Sequence, residues 1–203
     1  MQDLDKALQQ IGDIRSQIAS STEFHGFGPA AVATTGVMAL IIGVWQHLQP
    51  PASTTQYLLQ WIVVAAVCSI IVCSEMYSRS RHEHGQMAAA LLVRALEQFL
   101  PAFACGFMLT AFCFLVAPDT LWMLPGLWQV CVALGLFSAA RNLAPTIKLI
   151  AAFYFVCGFT VLILSHQVAG LSPWLMAIPF FAGQLMMACA LYRQRRNGVT
   201  FDD

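Results

Sequence analysis

Two glutamines are the most deeply placed strongly polar side chains in this 203-residue sequence, since each lies inside a long apolar stretch. Gln129 follows Pro125 by four residues, and Gln184 follows Pro179 by five. An amide in an apolar medium is costly unless it is hydrogen-bonded, and a proline inside a helix leaves one backbone carbonyl without its usual donor. The glutamines therefore either join helices, by bonding each other or the released carbonyls, or line a small polar site for a neutral or lipophilic ligand.

Histidines are the next candidates for chemistry. His47 and His166 lie at the ends of apolar stretches, where imidazoles could bind a haem or a metal from one side of a membrane. Helix-end histidines are also common without any ligand. His82 and His84 flank Glu83 in a pattern that is more typical of a solvated loop than of a metal site. We predict no cofactor and no metal site, with a haem at His47 and His166 as the alternative.

Seven cysteines all lie inside apolar stretches, and none forms a C-x-x-C motif; they are Cys68, Cys73, Cys105, Cys113, Cys131, Cys157 and Cys189. Disulfide frameworks normally lie outside the membrane, in an oxidising compartment. The cysteines are therefore interpreted as small packing residues, with a redox relay as the alternative.

No ionisable residue falls near the middle of any apolar stretch. Proton-coupled pumps and voltage sensors use such residues inside the bilayer, and intramembrane aspartyl proteolysis needs two carboxylates that share a proton. The motifs of zinc proteases, serine hydrolases and P-loop nucleotidases are also missing from the sequence. The sequence therefore favours a protein that is not an enzyme.

Composition indicates what must position these residues. Hydrophobic residues make up 59% of the chain and charged residues 10%, the net charge is zero, and the mean hydropathy is +0.69. Soluble domains average about 25% charged residues. The composition excludes a disordered chain and a nucleic-acid-binding protein, and it predicts a protein whose surroundings are a lipid bilayer.

Six apolar stretches are long enough to cross a bilayer, which takes about 20 residues. Because lipid offers the backbone no hydrogen-bond partners, each should be a helix. The predicted fold is an all-α, polytopic membrane protein. The predicted spans are 28–47, 57–77, 98–117, 120–140, 146–165 and 172–192. They form one transmembrane domain, 28–192, between an N-terminal segment, 1–27, and a C-terminal tail, 193–203.

The distribution of basic residues predicts the orientation. With six spans, all ten lysines and arginines fall on one side, and the loops at 48–56, 118–119 and 166–171 contain none. Positive residues mark the cytoplasmic side, so both termini are predicted to be cytoplasmic. The five tryptophans lie near the opposite ends of four spans, as a belt at the headgroup level would require.

An amphipathic helix is predicted at 3–20, before the first span. Its apolar positions are spaced by three and four residues; they include Leu4, Ile11, Ile14 and Ile18. Helices that lie on a bilayer usually have a basic polar face, whereas this one carries three acidic residues. We expect it to bind a cytoplasmic protein or a second copy of the chain; a bilayer-surface helix and a cover for the bundle's own inner face are the alternatives.

A charged segment follows the second span and is a further candidate for cytoplasmic interaction. Glu75 and Arg79 are spaced i, i+4 and could pair at the end of the span, and Arg81 follows them. Residues 86–97 are rich in alanine and leucine, which predicts a helical extension of the third span.

The spans also suggest three tandem helical hairpins. Pro29, Pro101 and Pro145 each stand near the start of an odd-numbered span, where a missing N–H costs little. Trp122, Pro125 and Gln129 of the fourth span are echoed by Trp174, Pro179 and Gln184 of the sixth. If the hairpins arose by duplication, Gln129 and Gln184 should face each other. Gly36 and Gly43 of the first span could permit a close helix contact.

Several strings resemble those of an uncharacterised group of six-helix proteobacterial inner-membrane proteins. They are Phe27-Gly28-Pro29-Ala30, the segment from Glu97 to Pro101, the segment from Trp122 to Gln129, and Ser172-Pro173-Trp174. The resemblance covers nearly the whole chain. It implies a multi-pass protein of a bacterial inner membrane with cytoplasmic termini, and it carries over no catalytic or transport residues.

Three functions are then open. The first is a non-enzymatic membrane protein that senses, regulates or scaffolds through its cytoplasmic face. The second is a small carrier or binding protein for a neutral or lipophilic molecule, and the third is a haem- or metal-binding membrane protein. A filled interior beside the glutamines would favour the first, and a ligand-sized cavity there would favour the second.

Overall fold

A computed structural model describes residues 28–84, 88–140, 146–167 and 171–199. These residues form six α-helices and one 3₁₀-helix, with no strand in the described ranges: α1 Pro29–Leu48, α2 Thr54–His84, α3 Ala88–Leu115, η1 Pro118–Met123, α4 Leu124–Ala139, α5 Thr146–Gln167 and α6 Trp174–Val199. Six segments are long and apolar enough to cross a membrane. The predicted all-α fold with six spanning segments is confirmed; the predicted helix at 3–20 and the tail beyond Val199 lie outside the described residues.

Prolines and one capping serine set the helix starts. Pro29 begins α1, where its missing N–H is no loss. The Ser53 hydroxyl accepts a hydrogen bond from the Gln56 N–H at 3.2 Å and caps α2. Pro125 lies in the first turn of α4. Because it cannot donate to the preceding turn, the fourth span is divided into η1 and α4 rather than forming the single helix that we predicted.

Helices α2 and α3 are longer than the second and third predicted spans. Helix α2 continues to His84 through the charged residues that follow Ser78, and α3 begins at Ala88, ten residues before the predicted third span. The helical extension of the third span is therefore confirmed over its described residues. Residues 82–84 form the last turn of α2, which corrects the prediction of a loop there, since the helix simply continues beyond the apolar stretch.

The six helices form a ring in which each packs against its neighbours in sequence and α6 closes on α1. The most extensive packing joins α4 to α5 and α1 to α6, so it crosses between the predicted hairpins. Tandem duplication of a hairpin stays a prediction. One end of the bundle, which we call the tryptophan end, contains the connection at 49–53, the helix η1 and the start of α6. The other, which we call the arginine end, contains the start of α1 and the ends of α2, α4 and α6.

Glycines bring the helices of both extensive pairs close together. A Cβ added at Gly158 of α5 would lie 2.9 Å from the Gly126 carbonyl oxygen of α4, and one added at Gly126 would lie 2.7 Å from the Gly158 oxygen. On α1, a Cβ at Gly36 would lie 3.0 Å from the Gln184 Cβ, and one at Gly43 would collide with Ala177. The close contact that Gly36 and Gly43 permit is therefore made with α6 of the same chain.

Helices α2 and α3 are peripheral. Half of the residues in the most apolar part of the fourth span, which comprises η1 and α4, are buried, against 17% for the second span and 6% for the third. The largest buried cluster gathers residues from α1, α2, α3, η1, α4 and α6 towards the tryptophan end. A second cluster joins α4 and α5 towards the arginine end. Large exposed side chains on α3, such as Phe103 and Phe107, are placed to face lipid.

Candidate functional site

Gln129 on α4 is fully buried and bonds to α6. Its Nε2 donates to the backbone oxygen of Leu175 at 3.0 Å and approaches the Met176 sulfur at 3.9 Å. Leu175 lies four residues before Pro179, so its carbonyl is the one that this proline deprives of a helical donor. Gln129 thus supplies the missing donor from a neighbouring helix, which is one of the two kinds of partner that the sequence suggested.

The oxygen of the same amide is less well placed. Gln129 Oε1 is buried and, among the described residues, has no hydrogen-bond partner. The hydroxyl of Ser165 on α5 is likewise buried and has no partner there. Leaving a buried acceptor unpaired costs about 1–3 kcal/mol. Gln129 therefore gives one good hydrogen bond across the α4–α6 contact and leaves one acceptor unsatisfied.

Gln184 occupies a different interface. It is half-buried, and its Cβ packs against Gly36 of α1. It lies nine residues beyond Leu175 on the same helix, which is about 13.5 Å along the axis at 1.5 Å per residue. The two glutamines therefore do not face each other, because α6 presents Leu175 to α4 and Gln184 to α1.

The interior beside Gln129 is filled. Leu124, Ala133, Ala151 and Ala177 are fully buried around the ring. Two open grooves lie elsewhere on the bundle, one between α1 and α2 and one between α3 and α4. Neither Gln129 nor Gln184 lines them.

A buried hydrogen-bond network at the tryptophan end was not predicted. Gln46 of α1 is 1% exposed, and its Nε2 donates to the Tyr57 carbonyl at 3.2 Å and to Gln60 Oε1 at 2.8 Å. The Trp61 indole N–H donates to Gln46 Oε1 at 3.0 Å. Every donor of the Gln46 amide is used and its oxygen is bonded, so the network ties α1 to α2. The Tyr57 hydroxyl extends it to the Ser172 carbonyl near α6 at 3.4 Å.

Each of the two histidines that we considered as ligands contacts a tryptophan. His47 at the end of α1 lies 5.6 Å from Trp174 at the start of α6, and His166 at the end of α5 lies 5.3 Å from Trp122 in η1. The two extensive helix pairs thus carry similar Trp–His contacts at the tryptophan end. No group of three or more metal-ligating side chains occurs within the residues that the structure describes.

At the arginine end, Glu75 of α2 lies against the start of α1. A Cβ at Gly28, which caps α1, would collide with the Glu75 carboxylate. A carboxylate is stabilised at a helix N-terminus by the unbonded N–H groups and the helix dipole. The backbones of Arg79 and Arg81 belong to α2, but their side chains lie outside the described residues, as do Leu4, Ile11, Ile14 and Ile18.

The cysteines are all free thiols. Two of them, Cys105 and Cys131, line the same groove of about 170 Å³ between α3 and α4. Sequence spacing alone gave no sign that they would lie in one groove, since the residues are 26 positions apart on different helices.

Comparison with known proteins yields no relatives: no family model, curated protein or solved structure matches this chain.

Proposed function

We propose that this chain is a non-enzymatic, multi-pass protein of a bacterial inner membrane that regulates or scaffolds other proteins through the arginine end of the bundle. The observation that carries this proposal is the complete burial of Gln129 and of the side chains around it. A carrier has to open a path through its core, whereas a scaffold needs only a stable framework. The buried side chains around Gln129 and the glycine contacts of α4 with α5 and of α1 with α6 suit the second need.

The shape of the arginine end supports the same proposal. Helix α2 runs to His84 through the charged residues that follow Ser78, and α3 starts at Ala88, ten residues before the predicted third span. At 1.5 Å per residue, the last six residues of α2 extend about 9 Å past its apolar stretch. A pair of helices that projects from the bilayer offers a surface to a cytoplasmic protein.

Glu75 links this projection to the start of the bundle. Its carboxylate lies beside Gly28, where α1 begins, and a few residues before α2 leaves its spanning part. The segment 1–27, for which we propose binding to a cytoplasmic protein or a second copy, therefore joins the bundle at the base of the α2–α3 projection. Both parts of the proposed interaction surface are anchored at one place.

The test is affinity capture of cytoplasmic partners with the detergent-solubilised full chain, followed by quantitative mass spectrometry. The variants are a deletion of residues 1–21 and the double substitution Arg79→Ala with Arg81→Ala. Gln49→Ala, at the tryptophan end, is the control. We expect the unaltered chain and the control to recover the same partners and both variants to lose them. Equal recovery by all four proteins would contradict the proposal.

The carrier alternative is favoured by one observation, the unpartnered oxygen of Gln129. A polar ligand that passes close to this oxygen could donate a hydrogen bond to it. Uptake of glycerol, as a small neutral solute, and of Nile red, as a lipophilic one, into vesicles that contain the protein distinguishes the two functions. Flux that depends on the protein and falls in Gln129→Leu would support the carrier.

A further inference from the structure

An open groove of about 530 Å³ lies between α1 and α2 at the tryptophan end. Its walls are polar near the end of the bundle, where Gln56 and Gln60 line it, and apolar further in, where Ile42, Leu59 and Val63 line it. None of its lining residues is charged. The groove therefore has one hydrogen-bonding end and one hydrocarbon-like end.

The length of the groove corresponds to one leaflet of a bilayer. Along α2 it extends from Ser53 to Val64, which is about 16 Å at 1.5 Å per residue. This is about half of a hydrocarbon core of roughly 30 Å. Val64 lies near the middle of the spanning part of α2, Thr54–Ser78, so the polar end stands at the headgroup boundary and the apolar end near the midplane.

The hydrogen-bond network fixes which way the Gln60 amide is turned. The Trp61 indole can only donate, so it must meet the oxygen of Gln46; the nitrogen of Gln46 then donates to Gln60, which must present its oxygen. The Gln60 nitrogen has no acceptor in the described part of the chain. It is left as a donor in the wall of the groove.

Gln56 is turned in the same way by a different contact. The backbone N–H of Ala52 donates to Gln56 Oε1 at 2.8 Å, so this oxygen is also engaged within the protein. Gln56 and Gln60 are four residues apart on α2 and hence on the same face. The polar end of the groove thus offers two amide nitrogens, both donors, and suits a ligand that presents uncharged or delocalised acceptor oxygens.

We infer that this groove is a binding site for a membrane phospholipid of the leaflet at the tryptophan end. The ester carbonyls of its glycerol region accept hydrogen bonds from Gln56 and Gln60, and one acyl chain lies along Leu59 and Val63 towards the midplane. The site lacks a cation, so it recognises the ester region rather than the charge of the headgroup. Because the groove lies at the opposite end of the bundle from the proposed partner surface, this inference does not depend on the proposed function.

The experiment uses the full chain in vesicles of phosphatidylethanolamine and phosphatidylglycerol that contain phosphatidylethanolamine with a diazirine in one acyl chain. After illumination, labelled residues are mapped by mass spectrometry. We expect labelling at Leu59 and Val63 to exceed labelling at Phe103 and Phe107 of α3, which are at least as exposed to lipid. Ordinary boundary lipid would label both faces alike.

Two variants test the two ends of the groove separately. The double substitution Gln56→Glu with Gln60→Glu keeps an oxygen for Ala52 and for Gln46 but removes the amide donors. Val63→Trp fills the apolar end and leaves the network untouched. The loss of one hydrogen bond corresponds to about a fivefold change in binding, so labelling should fall at least about fivefold in the double variant, and a comparable fall is expected for Val63→Trp.

Gln49→Glu is the matched control, because it makes the same chemical change at the same end of the bundle on an exposed residue outside the groove. Its labelling should equal that of the unaltered chain. Even labelling of α2 and α3, or unaltered labelling in either groove variant, would overturn the inference.

Discussion

Gln129 donates its side-chain N–H to the backbone oxygen of Leu175, at 3.0 Å across the contact between α4 and α6. The oxygen is available because Pro179, four residues further on, has no N–H to offer it. A proline that breaks the bonding of one helix is thus compensated by an amide from another. In a bilayer, where water cannot take the donor's place, this bond satisfies a carbonyl that would otherwise be left unpaired.

The Gln129–Pro179 relationship predicts a coupling between the two positions. Gln129→Leu should lower the free energy of unfolding by about 1 kcal/mol, because the Leu175 carbonyl loses its donor. In a Pro179→Ala background the backbone N–H of residue 179 can bond that carbonyl, so the same substitution should cost less. Unfolding in mixed detergent micelles measures all four proteins of this double-mutant cycle. Equal costs in the two backgrounds would contradict the compensation.

The contact between α4 and α5 should be intolerant of even one added methyl group. In Gly158→Ala the new Cβ would lie 2.7 Å from Val130 Cγ2 and 2.9 Å from the Gly126 oxygen. Overpacking of this kind costs about 1–3 kcal/mol, which unfolding in detergent would show. Gly106→Ala is the control, because its Cβ would meet only Cys131, at 3.9 Å. The control should be neutral or slightly stabilising, since alanine favours helix more than glycine does; equal effects at both glycines would show that the contact is loose.

The network around Gln46 should stabilise the α1–α2 contact. Gln46→Leu leaves the Trp61 indole N–H buried without an acceptor, and an unpaired buried donor costs about 1–3 kcal/mol. Thermal unfolding of the purified protein measures the loss. Gln49→Leu, three residues along and exposed, should change stability by no more than about 0.5 kcal/mol. If the two substitutions had similar effects, the network would contribute nothing to stability.

The proposed orientation predicts which end of the bundle is accessible from outside the cell. In a chain whose native cysteines are replaced by alanine, single cysteines are introduced at Gln49 and at Arg196. A membrane-impermeant maleimide applied to spheroplasts should label position 49 at once and position 196 only after permeabilisation. The reverse pattern would place the arginine end outside and contradict the distribution of basic residues.

The spans were predictable because crossing a bilayer requires an uninterrupted apolar segment, and such a segment can be recognised from consecutive residues alone. The bounds agree closely: the second span, predicted to start at Tyr57, starts at Thr54. The neighbours of each helix were not predictable in the same way. Gly36 and Gly43 indicated a close contact, but nothing near them in sequence indicated that α6, at the other end of the chain, would make it.

Among the buried polar residues, the partner of Gln129 could be predicted from sequence, whereas the partners of Gln46 could not. The proximity of Pro179 made a released carbonyl a sensible partner for Gln129, and this needed only the i−4 rule of the helix. Gln46 gave no comparable signal, because its partners Tyr57, Gln60 and Trp61 become partners only when α1 and α2 fold together. Ser53 did carry a signal, because serine is a preferred helix cap, and it marks the start of α2.

The pairing of α1 with α6 has a consequence for biogenesis. Helix α1 has its most extensive contact with α6, so this contact cannot form until translation has delivered α6, more than 120 residues later. Until then, the surface of α1 that carries Gly36 and Gly43 is exposed to lipid or contacts the insertion machinery. A nascent chain that stalls before residue 174 would be left with an unclosed assembly, which quality-control proteases are suited to recognise.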